Sequence, residues 1–263
     1  MKSTAWISTC IVASLVLLAE NKSLGQSLIA GIPSADVAKR GHIEFTHESQ
    51  WASQNSKLKW NSFNFFTYGI ANRTELAVSL VNVGSPGTGN VAAGIGYKTI
   101  VPLRKGEDVG TFRERKLSVG QMVYAAVGPE KNTNRDRVGG WIYSHVSTRL
   151  WPSRTRLTGG LSYGSSHVFG FRTTNLIGLN GLVEPMQQRV PLSPFTFIGG
   201  IEQPITKHVG LLADWISGRH DIAALITGVQ FTIAHQVLIL AYKRANDRVN
   251  DTDALVTEVM IHF

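Results

Sequence analysis

From residue 41 to the C-terminus the chain keeps one texture. Segments of roughly ten residues rich in Val, Ile, Leu, Phe, Tyr and Thr alternate with clusters of Gly, Pro, Asn, Asp or Arg. This spacing predicts strands near 41–51, 58–69, 73–82, 91–101, 116–127, 139–150, 155–165, 193–203, 207–217, 222–232, 235–243 and 253–263, twelve in all, and no helical period competes with it. Several show a two-residue alternation. In 253–263, Leu255, Thr257, Val259, Ile261 and Phe263 share one face, and Glu258, Met260 and His262 the other. In 41–51, Ile43, Phe45 and Trp51 oppose Glu44, Thr46, Glu48 and Gln50. Elsewhere Leu76, Val78 and Leu80 oppose Glu75; Ile95 and Tyr97 oppose Lys98; Phe195, Phe197 and Ile201 oppose Glu202; and Val209, Leu211 and Trp215 oppose Asp214.

A soluble sandwich also alternates, so the joins between strands carry more information. Read from either terminus they are alternately short and long: 70–72, 151–154, 204–206 and 233–234 are tight, while 83–90, 128–138, 166–192 and 244–252 are longer. With both termini on the periplasmic side, the tight joins fall there and the long ones outside, which requires an even strand number. The expected fold is an all-β antiparallel transmembrane barrel of twelve strands. Residues 102–115 are too long for a periplasmic turn, and 172–183 could pair as an extra strand, which makes fourteen the fallback. Trp51, Trp60, Trp141, Trp151, Trp215, Tyr68 and Tyr163 lie near strand ends, as interfacial aromatic girdles require.

The N-terminus changes the compartment. Lys2 followed by the apolar run Ala5 to Ala19, with Ser23-Leu24-Gly25 before Gln26, reads as a signal peptide over residues 1–25. Residues 26–40 then read as a polar extension and 41–263 as the barrel. Past the leader no apolar run approaches the roughly 18–20 residues of a membrane helix; the longest spans Val237 to Tyr242. The one cysteine, Cys10, lies in the leader, which removes disulfides and Cys chemistry from the mature chain. The net charge of +8 is scattered without a basic helix, and favours phosphorylated lipid headgroups over nucleic acid.

The terminal strand ALVTEVMIHF, apolar at alternate positions back from Phe263, resembles that of Gram-negative outer-membrane β-barrels. The stretch GLLADWISGRHDIAALITGVQFTI resembles the last hairpins of uncharacterised barrels taken for transporters. The resemblance implies an outer-membrane location, contact with outer-membrane lipids, and Leu255, Val259, Ile261 and Phe263 as the signal read by the barrel insertion machinery.

Charges facing mid-bilayer lipid cost about 2–4 kcal/mol for basic residues and less for acidic ones. Glu44, Glu48, Glu75, Lys98, Glu202, Asp214 and Glu258 are therefore expected inside, lining a pore or filling a plugged lumen with Arg149 and Arg156. The function expected is a passive channel or transporter for a small solute, with 166–192 as a loop folded into its mouth. The alternatives are an outer-membrane lipid hydrolase and a soluble exported β-barrel or sandwich that binds a ligand. For the hydrolase, Ser144-His145-Val146-Ser147 and Ser165-Ser166-His167 match no motif of outer-membrane phospholipases or lipid A deacylases. Ser144 and His145 must point to opposite faces, and His145 and Ser147 stand about 7 Å apart along a strand. No enzyme activity is expected. His47-Glu48 lacks the second His of a zinc motif, since Trp51 stands there; Gly94-Ile95-Gly96 and Gly159-Gly160 precede no helix; His220-Asp221 reads as a solvated turn. No cofactor or metal is expected.

Overall fold

Alternating segments with apolar outer faces can satisfy their backbone groups in lipid only by closing on themselves, and a computed structural model of the chain shows that closure. It describes residues 28–54, 57–83, 91–103, 112–127, 138–165, 171–176, 186–191, 194–220, 222–247 and 252–263; the expected leader lies outside them. In chain order the strands are β1 (Ile43–Gln54), β2 (Lys57–Ala71), β3 (Thr74–Val81), β4 (Ala92–Pro102), β5 (Phe112–Ala126), β6 (Val138–Leu150), β7 (Arg156–Gly164), β8 (Phe171–Leu176), β9 (Met186–Pro191), β10 (Phe195–Pro204), β11 (Val209–Ile216), β12 (Ala224–Ile233), β13 (Gln236–Ala245) and β14 (Ala254–His262).

Twelve of them form an antiparallel ring, β1-β14-β13-β12-β11-β10-β7-β6-β5-β4-β3-β2. Ring neighbours are chain neighbours except at the β1–β14 seam, which runs from Glu44↔His262 to Ala52↔Ala254, and at β7–β10. The fourteen-strand fallback is not realised, because β8 and β9 pair with each other and β7 pairs directly with β10. The segment 166–192, expected as a constriction, falls largely outside the described residues. The long join after β4 shortens: Leu103 N donates to Arg115 O, and a bulge at Glu114, with φ at 48°, carries β5 back to Phe112.

In a single-layer ring successive side chains of a strand point alternately into the lumen and out of it. Glu44, Thr46, Thr67, Ser79, Ser118 and Thr196 are buried, whereas Leu76, Val78, Ile95, Tyr97, Leu211 and Leu240 on the alternate positions are exposed. The exposed set is large and apolar over the ring, which is the outer wall of a barrel in hydrocarbon. Trp151, Trp215, Tyr68 and Tyr163 belong to it, but Trp141 does not: it turns inward and packs on Tyr143 at 5.1 Å between ring centroids. The outer belt is broken on β1 and β2 by the polar residues His47, Ser49 and Asn64.

Residues 28–40, expected as a polar extension, instead run inside the barrel. Ile29, Ala30, Ile32, Ala35 and Ala38 are buried. The segment meets the ring at the Arg40–Gly69 bridge, where a Cβ on Gly69 would collide with the Lys39 carbonyl. Farther in, Ile29 and Ile32 join Ile198, Leu212, Ile216, Ile226, Val237, Ile239, Val256 and Met260 in one apolar cluster. The lumen is therefore filled at that level by a small hydrophobic core.

Candidate functional site

Glu44, Glu48, Glu75, Lys98, Glu202, Asp214 and Glu258 occupy inward positions of the ring, in two groups. The first seats the N-terminal segment. Glu75 pairs with Lys98 at 3.0 Å, and both are nearly inaccessible; Glu75 Oε2 also accepts the Ala38 N–H at 2.6 Å. Asp214 Oδ2 accepts the N–H groups of Ala30 at 3.0 Å and Gly31 at 2.7 Å. Glu202 lies 3.5 Å from Arg156, and Arg156 and Lys116 both hold Asp36 of the segment, at 2.7 and 2.8 Å. Arg149, expected to share the lumen, pairs with Glu114. The second group lies along the β1–β14 seam: Glu44 Oε2 lies 3.3 Å from His262 Nδ1, Glu48 accepts from Gln50, and Glu258 stands opposite Glu48 in the register.

Asp36 is the residue that ties the segment to the wall electrostatically. Burial alone would raise its carboxyl, but Arg156 and Lys116 outweigh that and hold it down at about 2, below the ordinary 3.8. A depressed carboxyl contributes stability that is fully present above its free value and lost as pH falls through the folded one. The difference is worth about 2 kcal/mol, a ten- to thirtyfold change in the ratio of seated to released segment. The ion pairs should hold from pH 8 down to 4 and fail toward 2. Asp36→Asn should release the segment at pH 7 to the extent that wild type reaches only near pH 2, read as protease cleavage of the segment against pH.

The other sequence candidates separate. Ser144 faces outward while His145 and Ser147 face inward. His145 stacks on Tyr143, and Ser147 shares a hydrogen bond with Thr158. His167 and Asp221 lie outside the described residues; His220 is buried, its ring pushed down to about 4 by burial, and thus uncharged at neutral pH. Among the described residues no three His, Cys, Asp or Glu stand close enough to hold a metal ion. Leu255, Val259 and Phe263 are exposed on the outer wall.

Sequence reasoning missed Asp36, Lys116 and the whole inner segment. A signal was present: LIAGIPSADVA is too apolar for a solvated extension and too irregular for a strand.

Twelve antiparallel strands closed into a ring, apolar outside and charged within, define a transmembrane β-barrel of the architecture found in bacterial outer membranes. No family model matches the chain, and no curated protein does. Among solved structures it is similar to the KdgM porin in complex with disordered oligogalacturonate, at 9% identity and TM-score 0.47, over 84% of this chain and 99% of that one. It is similar to an outer membrane channel from Pseudomonas putida F1, at 12% identity and TM-score 0.44, over 86% and 97%. The translocator domain of the autotransporter NalP from Neisseria meningitidis is similar at 9% identity and TM-score 0.41, over 98% and 95%. At these values the class rests on the barrel's own strand number, closure and outer belt.

Proposed function

We propose that the protein is an outer-membrane channel or transporter for small solutes, held closed by its own residues 28–40. One observation carries the reading: the segment adds no strand to the ring. Apart from the single Arg40–Gly69 bridge it is held by side chains, so withdrawing it breaks no strand pairing of the ring. Withdrawal would leave a lumen lined by Glu44, Glu48, Glu75, Glu202, Asp214 and Glu258 against Lys98, Lys116, Arg156 and Lys243, an acidic bias that favours cations. The leader at 1–25 would export the chain, and Leu255, Val259, Ile261 and Phe263 would present it to the insertion machinery.

The test compares the whole protein with a form lacking residues 28–38, each in planar bilayers. The shortened form is expected to conduct steadily and to pass cations in preference to anions, while the intact protein stays mostly closed. A shortened form that keeps the heat-modifiable gel mobility of a folded barrel and still passes no ions would remove the channel reading.

A further inference from the structure

The outward side-chain pairs between β1 and β2 run Ile43↔Tyr68, Phe45↔Phe66, His47↔Asn64, Ser49↔Ser62 and Trp51↔Trp60. Three aromatic or apolar rungs thus frame two polar ones on a wall that elsewhere meets hydrocarbon. On β14 the same rungs continue as Ile261, Val259, Thr257 and Leu255. His, Asn and Ser placed there are costly unless bonded, and their bonds follow a definite order. Asn64 Nδ2 donates to Leu80 O at 3.3 Å, which turns Asn64 Oδ1 toward His47 Nδ1 at 2.8 Å. An amide oxygen only accepts, so Nδ1 carries the ring proton and the Nε2 lone pair faces Ser49 Oγ at 3.0 Å. Trp60 Nε1 donates to the same Oγ at 3.0 Å. The hydroxyl of Ser62 donates to Val83 O, which leaves Ser49 as the serine the imidazole serves.

We infer that this outer wall carries a serine hydrolase site, with Ser49 as nucleophile, His47 as its base and Asn64 as the group that orients the base, acting on an acyl ester of a membrane lipid. The order nucleophile, base, orienting acceptor is the one that nucleophilic acyl transfer needs. Depth supports the substrate class. Trp51 and Trp60 stack at 5.1 Å three residues in from the last β1–β2 pair, Gln54↔Lys57, at the level where Trp marks the membrane surface. Ser49 lies two residues below, about 7 Å of strand, where the ester linkages of a lipid sit beneath its headgroup. The inference concerns the outer wall and is independent of the channel reading, which concerns the lumen.

In the reaction Ser49 Oγ bonds to the ester carbonyl carbon and its proton passes to His47 Nε2. Trp60 Nε1, which donates to Ser49 Oγ in the resting site, would turn to the carbonyl oxygen as negative charge develops there. The carbon–oxygen bond to the lipid alcohol breaks, and His47 returns the proton to that oxygen. Water, deprotonated in turn by His47, then releases the fatty acid and restores Ser49. One ester and one water give one acid and one alcohol.

The experiment uses the full-length barrel in detergent with a fluorophosphonate probe, the labelled peptide located by mass spectrometry. Fatty acid release is followed in parallel from mixed micelles of phosphatidylethanolamine and from lipopolysaccharide, which distinguishes the two lipid sources. Ser49 is expected to take the label. His47→Ala and Asn64→Ala should each slow labelling and turnover about a hundredfold or more, and Asn64→Asp, which keeps an acceptor toward Nδ1, should restore both. Ser49→Ala should abolish them while heat-modifiable mobility shows the barrel intact. A folded wild-type barrel without label at Ser49 overturns the site, as does turnover that survives Ser49→Ala. Label without fatty acid from either lipid overturns the substrate.

Discussion

Lys98→Ala is expected to destabilise the barrel by about 3–5 kcal/mol, the usual consequence of leaving one member of a buried ion pair uncompensated. The Lys98 ammonium and the Glu75 carboxylate are both nearly inaccessible, so removing the lysine leaves an acid with little water to replace it. Glu75 also accepts from the Ala38 backbone, so the loss should spread to the inner segment. Pairing Lys98→Met with Glu75→Gln should recover most of the stability, since the amide keeps an acceptor for Ala38 and neither position retains a charge. Denaturant unfolding in lipid vesicles measures both, and a Lys98→Ala barrel as stable as wild type would show that water reaches the pair.

The second large effect concerns the apolar end of the segment. Ile29 and Ile32 are fully buried in the inner cluster, and truncating a buried isoleucine to alanine costs about 2–5 kcal/mol. The two are neighbours, with Ile29 N donating to Ile32 O at 2.9 Å, so their losses will not simply add. Even about 4 kcal/mol for the pair moves the ratio of seated to released segment by roughly a thousandfold. Under the proposed function, Ile29→Ala with Ile32→Ala should therefore give frequent openings in bilayers where wild type gives few. Unchanged closure would mean that the polar seats at Asp214, Glu75 and Asp36 suffice alone.

The barrel was legible because its period is strict. Lipid outside and charge inside impose the two-residue alternation on β1, β3, β4, β10, β11 and β14, and Glu44, Glu75 and Asp214 could be placed by parity alone. Trp141 could not: an aromatic residue suits either face, and only the apolar cluster within the lumen explains its turn inward. The inner segment has no period, since it packs against a surface whose shape is set by strands far away in the chain. The polar window on the outer wall was missed for a different reason. His47 and Ser49 stand two residues apart, a spacing that for His145 and Ser147 argued against proton transfer. The structure shows that an imidazole leaning along its strand bridges that gap, with Nε2 3.0 Å from Oγ. What matters is the face, and His145 and Ser147 lie on the inner one.

The seam has a consequence for how the molecule is made. The first strand of the ring finds its partner in the last, with Phe263 N donating to Ile43 O at 2.8 Å. A nascent chain short of β14 therefore presents two bare ladder edges and has no stable intermediate form in lipid. Residues 28–40 lie within the ring that this seam closes, so they have to be inside by the time β1 meets β14. The inner segment is enclosed in the act of sealing, like cargo loaded before the hatch is shut.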